Sequence, residues 1–262
     1  MKVAFWNGVS STDGVTDYLA AIGTILALQK KCQIVLGSNH ISNHMLQDCF
    51  AGRIKEEGIA HTPYRFFYGS PAYFRALWDI QINRQGPILE KPMEGITIIY
   101  PPDVTDKHMF YLEVPRTVLY LLDIAGENNA ASQSALAEAE IVVVFLPQDV
   151  TEIHKFFDRF SSLIPKALFV IEGVRKGKGT FQNTLKLKYG INSSDIGIIP
   201  HNYEYIEACE EGRLDFFIKS TLKHATRESQ KNFIQGLKSV ANLLYERCIS
   251  ELEKEWMDEQ DS

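Results

Sequence analysis

The sequence predicts a doubly wound α/β fold, with a mainly parallel sheet and helices on both of its faces. Short apolar runs alternate along the chain with segments of helical periodicity, which is the pattern of strand–helix–strand units. The runs are apolar at nearly every position, as expected for strands that are buried on both faces. The 262 residues are 45% hydrophobic and contain no linker-like stretch, so we expect a single domain over residues 1–262.

The predicted elements follow one another from the amino terminus. Apolar runs predict strands at residues 3–6, 33–36, 96–100, 118–123, 141–146, 167–172 and 196–199. Helical spacing predicts helices at residues 18–28, 132–140, 150–163 and 180–189, and a long final helix at about 227–256. The aromatic-rich stretch at about 41–85 is less regular, and we predict that it is mostly helical.

Charge and composition disfavour several classes of function. The net charge of −6 gives no field that would attract nucleic acid, so no direct nucleic-acid partner is expected. We find no signal peptide and no apolar run of about 18 residues, which disfavours direct membrane insertion. The four cysteines are scattered, which suits a reducing compartment, and we predict a cytoplasmic protein.

The segment between the first predicted strand and the first predicted helix looks like a phosphate-binding loop without its lysine. In the pattern G-x-x-x-x-G-K-[ST], backbone N–H groups and the lysine hold phosphates, and the hydroxyl binds Mg²⁺. Gly14 and Thr16 hold the last glycine and the hydroxyl position, but Val15 replaces the lysine. Asp13 and Asp17 place carboxylates where the helix N-terminus would attract phosphate, so we interpret the loop as self-occupied.

A second motif, D-x-x-G, ends the fourth predicted strand at Asp123 and Gly126. In a phosphate-binding loop fold, such an Asp orders the water around Mg²⁺ and the Gly N–H contacts the terminal phosphate. A helix and another apolar strand follow, as that fold requires. Without this second motif, residues 10–13 are equally well explained as an ordinary strand-to-helix turn with a capping residue.

With these motifs in this order, the chain resembles the MinD/ParA family of deviant P-loop ATPases, and within it the branch that includes TadZ/CpaE-like pilus assembly proteins. The resemblance covers nearly the whole chain and also includes residues 147–148, the G-x-I-P strand end at 196–202 and the A-x-x-x-G segment at 208–212. It implies a P-loop NTPase-like fold, and a nucleotide site at Gly14, Val15, Thr16, Asp17, Asp123 and Gly126. It also implies Mg²⁺ on Thr16 and Asp123, with Asp123 as the catalytic residue if the protein is active.

Departures from the family pattern affect the expected cofactor. The family has two lysines in its loop, and the chain has none between Lys2 and Lys30. The family's acidic residue after the second strand is also absent, and its Asn near the nucleotide base is Glu172 here. Lost cations and added carboxylates weaken the binding of a polyphosphate by several orders of magnitude. We therefore expect either no cofactor or weakly bound ATP or ADP with Mg²⁺.

A displaced cation is the remaining way to complete such a site. The basic loop at residues 173–179 contains Arg175 and Lys176 and follows a predicted parallel strand, which places it at the same edge as the phosphate-binding loop. A solvated surface loop is the simpler explanation. Two other groups offer weaker signals: His40, His44 and His61 as metal ligands, and the aromatic residues 64–78 as either a contact surface or a packed helical subdomain.

The resemblance and its departures together predict a degenerate MinD/ParA-like positioning or assembly factor with weak or no nucleotide hydrolysis. We expect a homodimer with protein partners, such as a pilus or secretion ATPase, and the link to Tad-type pili rests on resemblance alone. The acidic residues near the carboxyl terminus are unsuited to a bilayer surface, so any membrane recruitment would use a partner. The alternatives are an active or nucleotide-switched ATPase with an unconventional P-loop, and a ParA-like partition protein acting on DNA.

Overall fold

Eight strands in the described part of the chain form one sheet. The computed structural model describes residues 1–8, 14–38, 46, 49–50, 88–100, 118–124, 130–174 and 180–260. The strands are β1 (Lys2–Trp6), β2 (Gln33–Ser38), β3 (Ile88–Met93), β4 (Ile96–Tyr100), β5 (Val118–Ile124), β6 (Ile141–Leu146), β7 (Ala167–Val174) and β8 (Ile196–Pro200). Their order across the sheet is β3-β4-β2-β5-β1-β6-β7-β8.

The sheet is parallel from β4 to β8, and β3 adds an antiparallel strand at one edge. Strand β1 lies near the centre, between β5 and β6, with later strands added on both sides. This confirms the predicted doubly wound, mainly parallel fold. Strand β3 was not predicted, because its sequence, ILEKPM, has two charged residues and a proline instead of an apolar run. Charged residues and proline are typical of edge strands.

Seven α-helices are present in the described ranges. They are α1 (Val15–Ile25), α2 (Ala130–Glu138), α3 (Val150–Phe160), α4 (Thr180–Tyr189), α5 (Tyr203–Glu210), α6 (Leu214–His224) and α7 (Glu228–Gln260). A π-helical turn, Leu26–Lys30, continues α1. The sequence analysis did not predict α5 and α6. The predicted helical stretch at 41–85 lies outside the described residues, apart from 46, 49 and 50.

The helices cover both faces of the sheet with two separate apolar clusters. Side chains alternate along a strand, so Phe5 and Trp6 of β1 belong to different clusters. The cluster around Phe5 includes side chains of α1, α6 and α7, and the cluster around Trp6 includes side chains of α2, α3 and α4. The buried stripe of α7 consists of Phe233, Ile234, Leu237, Val240, Ala241, Leu244 and Cys248.

Two glycines let α7 lie directly on β8. A Cβ atom on Gly197 of β8 would come within 2.5 Å of the Val240 Cγ2 atom. A Cβ atom on Gly236 of α7 would come within 2.6 Å of Pro200 Cδ and 2.7 Å of the Ile198 carbonyl oxygen. Real Cβ atoms do not make non-bonded contacts this short, so a side chain at either position would push the helix away from the strand.

The four cysteines are free thiols. Cys49 and Cys248 are buried, and Cys32 and Cys209 are partly exposed. Among the helices that the structure describes, none combines the length and hydropathy needed to cross a membrane.

Candidate functional site

The candidate site lies where the carboxyl ends of the parallel strands face the start of α1. Strand register places Asp123 of β5 beside Phe5 of β1 on one side and Ser38 of β2 on the other. Gly14 is the residue that precedes α1. In open α/β sheets, ligands bind at this edge, outside the carboxyl ends of the strands.

Thr16 and Asp123 form the polar centre of the site. The Thr16 hydroxyl donates a hydrogen bond of 2.5 Å to the Asp123 Oδ2 atom, and the Ser38 hydroxyl donates to the same oxygen at 3.4 Å. All three residues are buried, and Asp123 has no solvent exposure. The structure therefore brings together the two residues predicted to hold Mg²⁺. A hydroxyl and a carboxylate are oxygen ligands of the kind that this ion prefers.

Val15 does not offer any charge to a phosphate. Its side chain is buried and belongs to the apolar cluster on the α1 face of the sheet. Gly14 has no side chain to cap the helix, and the first backbone hydrogen bond runs from the Tyr18 N–H to the Gly14 carbonyl oxygen at 3.2 Å. The lysine position of the motif has thus become a core position.

Asp17 has a different environment from the one that the sequence suggested. Its Oδ1 atom accepts a hydrogen bond from the Cys49 thiol at 3.2 Å, and its carboxyl is also hydrogen-bonded to Cys209 of α5. Burial raises the pKa of Asp17, and the negative charge of Asp123 adds to this effect. Through these contacts the Asp17 carboxyl links α1 to neighbouring thiols.

Glu172 brings another carboxyl to the start of α1. Its Oε2 atom lies 3.7 Å from the position that a Cβ atom on Gly14 would occupy, and the Tyr18 ring lies 3.5 Å from the same position. The Gln148 side-chain amide donates a hydrogen bond of 2.7 Å to the Glu172 carbonyl oxygen. Burial raises the pKa of Glu172 to about 7, since it disfavours the charged form.

The sequence analysis treated Glu172 only as a substitution for the family's Asn. The signal that identifies its position is the one used for Asp123, an acidic residue at the end of an apolar strand of a parallel sheet. The carboxyl ends of such strands share one edge, which places both side chains near the same loop.

Gly8 has a structural explanation that is unrelated to phosphate. A Cβ atom on Gly8 would lie 2.4 to 2.6 Å from three atoms of the Trp6 ring. The Trp6 ring in turn makes an edge contact with Phe160, with 4.8 Å between ring centroids. Gly8 is therefore needed for the packing of Trp6.

Several predicted site residues lie outside the described residues: Asp13, Gly126, Arg175, Lys176, His40, His44, His61 and the aromatic residues 64–78. Within the described ranges, no group of three His, Cys, Asp or Glu side chains could hold a metal ion.

The fold is a P-loop NTPase-like α/β fold. Its features are a central parallel strand, a helix with a buried hydroxyl in its first turn, and a carboxylate on the neighbouring strand. This chain is similar to a solved structure of MinD, the septum site-determining protein, from Pyrococcus horikoshii OT3 in complex with Mg-ADP. The TM-score is 0.61. That match has 13% identity and covers 92% of this chain and 95% of the other.

Two further solved structures have the same architecture. A ParA family ATPase from Chlorobium tepidum TLS matches with a TM-score of 0.58 and 10% identity, over 91% of this chain and 96% of the other. The MinC:MinD cell division protein complex of Aquifex aeolicus matches with a TM-score of 0.56 and 15% identity, over 94% and 96%. No protein-family model matches the sequence, and no curated protein matches it significantly. These similarities show that the chain has the MinD/ParA fold.

The described side chains fit only one part of a magnesium–nucleotide complex. Thr16 and Asp123 suit the metal ion. Val15 offers a phosphate no charge, and Glu172 offers it a carboxyl in a partly buried position. Anions near the start of a helix are stabilised by its N–H groups, and a second anion there is repelled. The described part of the site therefore does not suit a polyphosphate.

Proposed function

We propose that this chain is a MinD/ParA-like positioning or assembly factor that hydrolyses nucleotide weakly or not at all and acts through protein partners. The observation that carries the proposal is the burial of Val15 in the apolar core, at the position of the phosphate-binding lysine. A desolvated charge contact of this kind contributes about 2–5 kcal/mol to binding. Its loss therefore leaves a fold that retains the shape of an ATPase without the means to bind its substrate firmly.

Protein partners are the class of ligand that such a fold would retain. One structural neighbour is a complex of MinD with MinC, so this architecture supports recognition of another protein. We infer a cytoplasmic homodimer that reaches a membrane, if it does so, through a partner. The proposed role in Tad-type pilus or secretion assembly rests on the resemblance to TadZ/CpaE-like proteins.

Calorimetry with MgATP and MgADP on nucleotide-stripped protein tests the proposal. We expect no heat of binding and no shift in melting temperature at concentrations that would detect a Kd of about 1 mM. Micromolar binding that disappears in Thr16→Ala would contradict the proposal, because it would require a working phosphate and Mg²⁺ site.

An unconventional ATPase is the second candidate, and the hydrogen bond between Thr16 and Asp123 favours it. In this case Arg175 or Lys176 would supply the missing cation, and Asp123 would position Mg²⁺ and be required for turnover. Asp123→Asn distinguishes the two candidates. An ATPase would lose its turnover in this variant, whereas a positioning factor would keep its oligomeric state and partner binding.

A further inference from the structure

The proposed function leaves open what keeps phosphate away from the start of α1. Loss of a lysine weakens binding, but the helix still directs backbone N–H groups toward this end, and such ends attract anions. The structure has a carboxyl in this place. The Glu172 Oε2 atom lies 3.7 Å from the position of a Cβ atom on Gly14, the residue that precedes the helix.

We propose that Glu172 is the specificity-determining residue of this site, and that its carboxyl excludes phosphate groups from the amino-terminal end of α1. The inference rests on the proposed function, because it explains why the site of a P-loop NTPase-like fold would remain free of nucleotide. It differs from the sequence-based interpretation that Asp13 and Asp17 have this role: the Asp17 carboxyl is hydrogen-bonded to Cys49 and Cys209, and Asp13 lies outside the described residues.

The fold holds Glu172 in position from its backbone. Strand β7 is parallel to β6, with Ile171 paired to Leu146. Beyond β6, Gln148 donates its side-chain amide to the Glu172 carbonyl oxygen at 2.7 Å. Gly173 follows with φ of +64°, a left-handed conformation that favours glycine, at the point where the pairing of β7 with β8 shifts register between Ile171 and Val174. The backbone of Glu172 is therefore held by residues on both sides of it.

An aromatic side chain, Tyr18, lies near the same point as the Glu172 carboxyl, 3.5 Å from the position of a Cβ atom on Gly14. Tyr18, in the first turn of α1, is stacked between Phe145 of β6 and Tyr205 of α5, with ring centroids 5.4 and 5.3 Å apart. Burial raises the pKa of Tyr18, and the negative charge of Glu172 adds to this effect. A packed stack leaves the Tyr18 ring little freedom to move. A phosphate at Gly14 would then meet the carboxylate in a partly buried space, where repulsion between like charges is strong.

The test compares the binding of MgADP to the wild-type protein and to Glu172→Gln by calorimetry at pH 8. Glutamine keeps the shape of the side chain and removes its charge. We expect MgADP to bind Glu172→Gln at least about tenfold more tightly than the wild type. This gain should disappear in the double variant with Thr16→Ala. Glu207→Gln is the matched control, because it removes one exposed carboxylate on α5 and should leave the affinity unchanged.

The two proposals fail in different ways in this experiment. Equal affinity of Glu172→Gln and the wild type for MgADP, or no binding by Glu172→Gln at about 10 mM, overturns the role of Glu172. Tight binding by the wild type overturns the proposed function whatever the variant does. Circular dichroism and the melting temperature verify that the variant is folded, and Glu172→Ala, which removes the carboxyl altogether, should show the same gain if Glu172→Gln does not fold.

Discussion

At the scale of single residues, Glu172 is expected to make the free energy of unfolding depend on pH. Its pKa is about 7 in the folded state, above the ordinary value of 4.5, because burial disfavours the carboxylate. Between these two values the folded state binds more protons than the unfolded state, so the free energy of unfolding falls as pH rises through 7. Glutamine does not titrate. We expect Glu172→Gln to increase the free energy of unfolding by up to about 3 kcal/mol at pH 8, and by less than about 1 kcal/mol at pH 5.

Urea unfolding at the two pH values measures this difference. Burial also raises the pKa of Asp17, which gives the same direction of pH dependence, but Asp17 is present in both proteins and its contribution cancels. Glu207→Gln should change stability equally at both pH values, since that carboxylate is exposed. The same gain for Glu172→Gln at pH 5 and pH 8 would show that its carboxyl titrates normally in the folded protein.

The hydroxyl of Thr16 is expected to stabilise the fold as well as the site. It donates a hydrogen bond of 2.5 Å to the fully buried carboxylate of Asp123. Thr16→Val keeps the shape of the side chain and removes the donor, which should cost about 1–3 kcal/mol of stability. Thr16→Ser keeps the donor and should cost less than about 1 kcal/mol. Urea unfolding at pH 7 tests both variants, and an equal loss in the two would show that packing of the methyl group matters more than the hydrogen bond.

The sequence predicted that Thr16 and Asp123 belong to one site, but it did not predict the environments of Asp17 and Glu172. Thr16 and Asp123 were paired because each ends a recognisable motif, and parallel strands bring such ends to one edge. The environments of Asp17 and Glu172 depend on contacts with Cys209 and Gly14, which are distant in sequence. Spacing along the chain does not contain this information, so the sequence did not identify Glu172 as a neighbour of the start of α1.

The close contact between α7 and β8 gives a prediction at the scale of elements. Gly236→Ala improves intrinsic helix propensity by about 1 kcal/mol. Its Cβ atom would nevertheless lie 2.7 Å from the Ile198 carbonyl oxygen and 2.6 Å from Pro200 Cδ. Backbone atoms cannot move aside as a flexible side chain can, so we expect a net loss of about 1–3 kcal/mol in the free energy of unfolding.

Asn242→Ala is the control for Gly236→Ala, because Asn242 is exposed on the same helix and its substitution should be neutral or slightly stabilising. Thermal or urea unfolding compares the two variants. A stabilising effect of Gly236→Ala would mean that helix propensity outweighs the contact with β8 and that α7 can shift.

Strands were predictable where burial on both faces of the sheet makes their sequences apolar at nearly every position. The central strands β1, β5 and β6 are apolar at nearly every position, with Lys2 and Asp123 as the charged exceptions, and were found within one residue of their bounds. Strand β3 is at the edge, where charge and proline are tolerated, so the same criterion missed it. Helices α5 and α6 were not predicted: α5 has only 8 residues and begins after two residues that follow β8, and three residues separate α6 from α5.

For the whole molecule, the order of the elements predicted the fold better than any single motif did. Strand, loop, helix, second strand and the strand that carries Asp123 occur in the order that a doubly wound sheet requires, and the structure confirms this arrangement. The function was less predictable, because one fold supports proteins that differ by a few charges in one loop. Val15 and Glu172 are such differences.

The proposed exclusion of phosphate has a consequence for the proposed homodimer. In the family that the chain resembles, nucleotide joins two subunits, and a site that excludes phosphate removes this means of association. A homodimer would then need a permanent interface, so sedimentation should give about twice the chain mass of 29.7 kDa, with or without MgATP, at about 10 μM protein. A monomer under both conditions would contradict the homodimer, and a dimer that forms only with MgATP would contradict the exclusion of nucleotide. If Glu172 alone prevents this chain from acting as a nucleotide-switched protein, the Glu172→Gln variant should form dimers more strongly when MgATP is added. The Glu207→Gln control should show no effect of MgATP on its dimer formation.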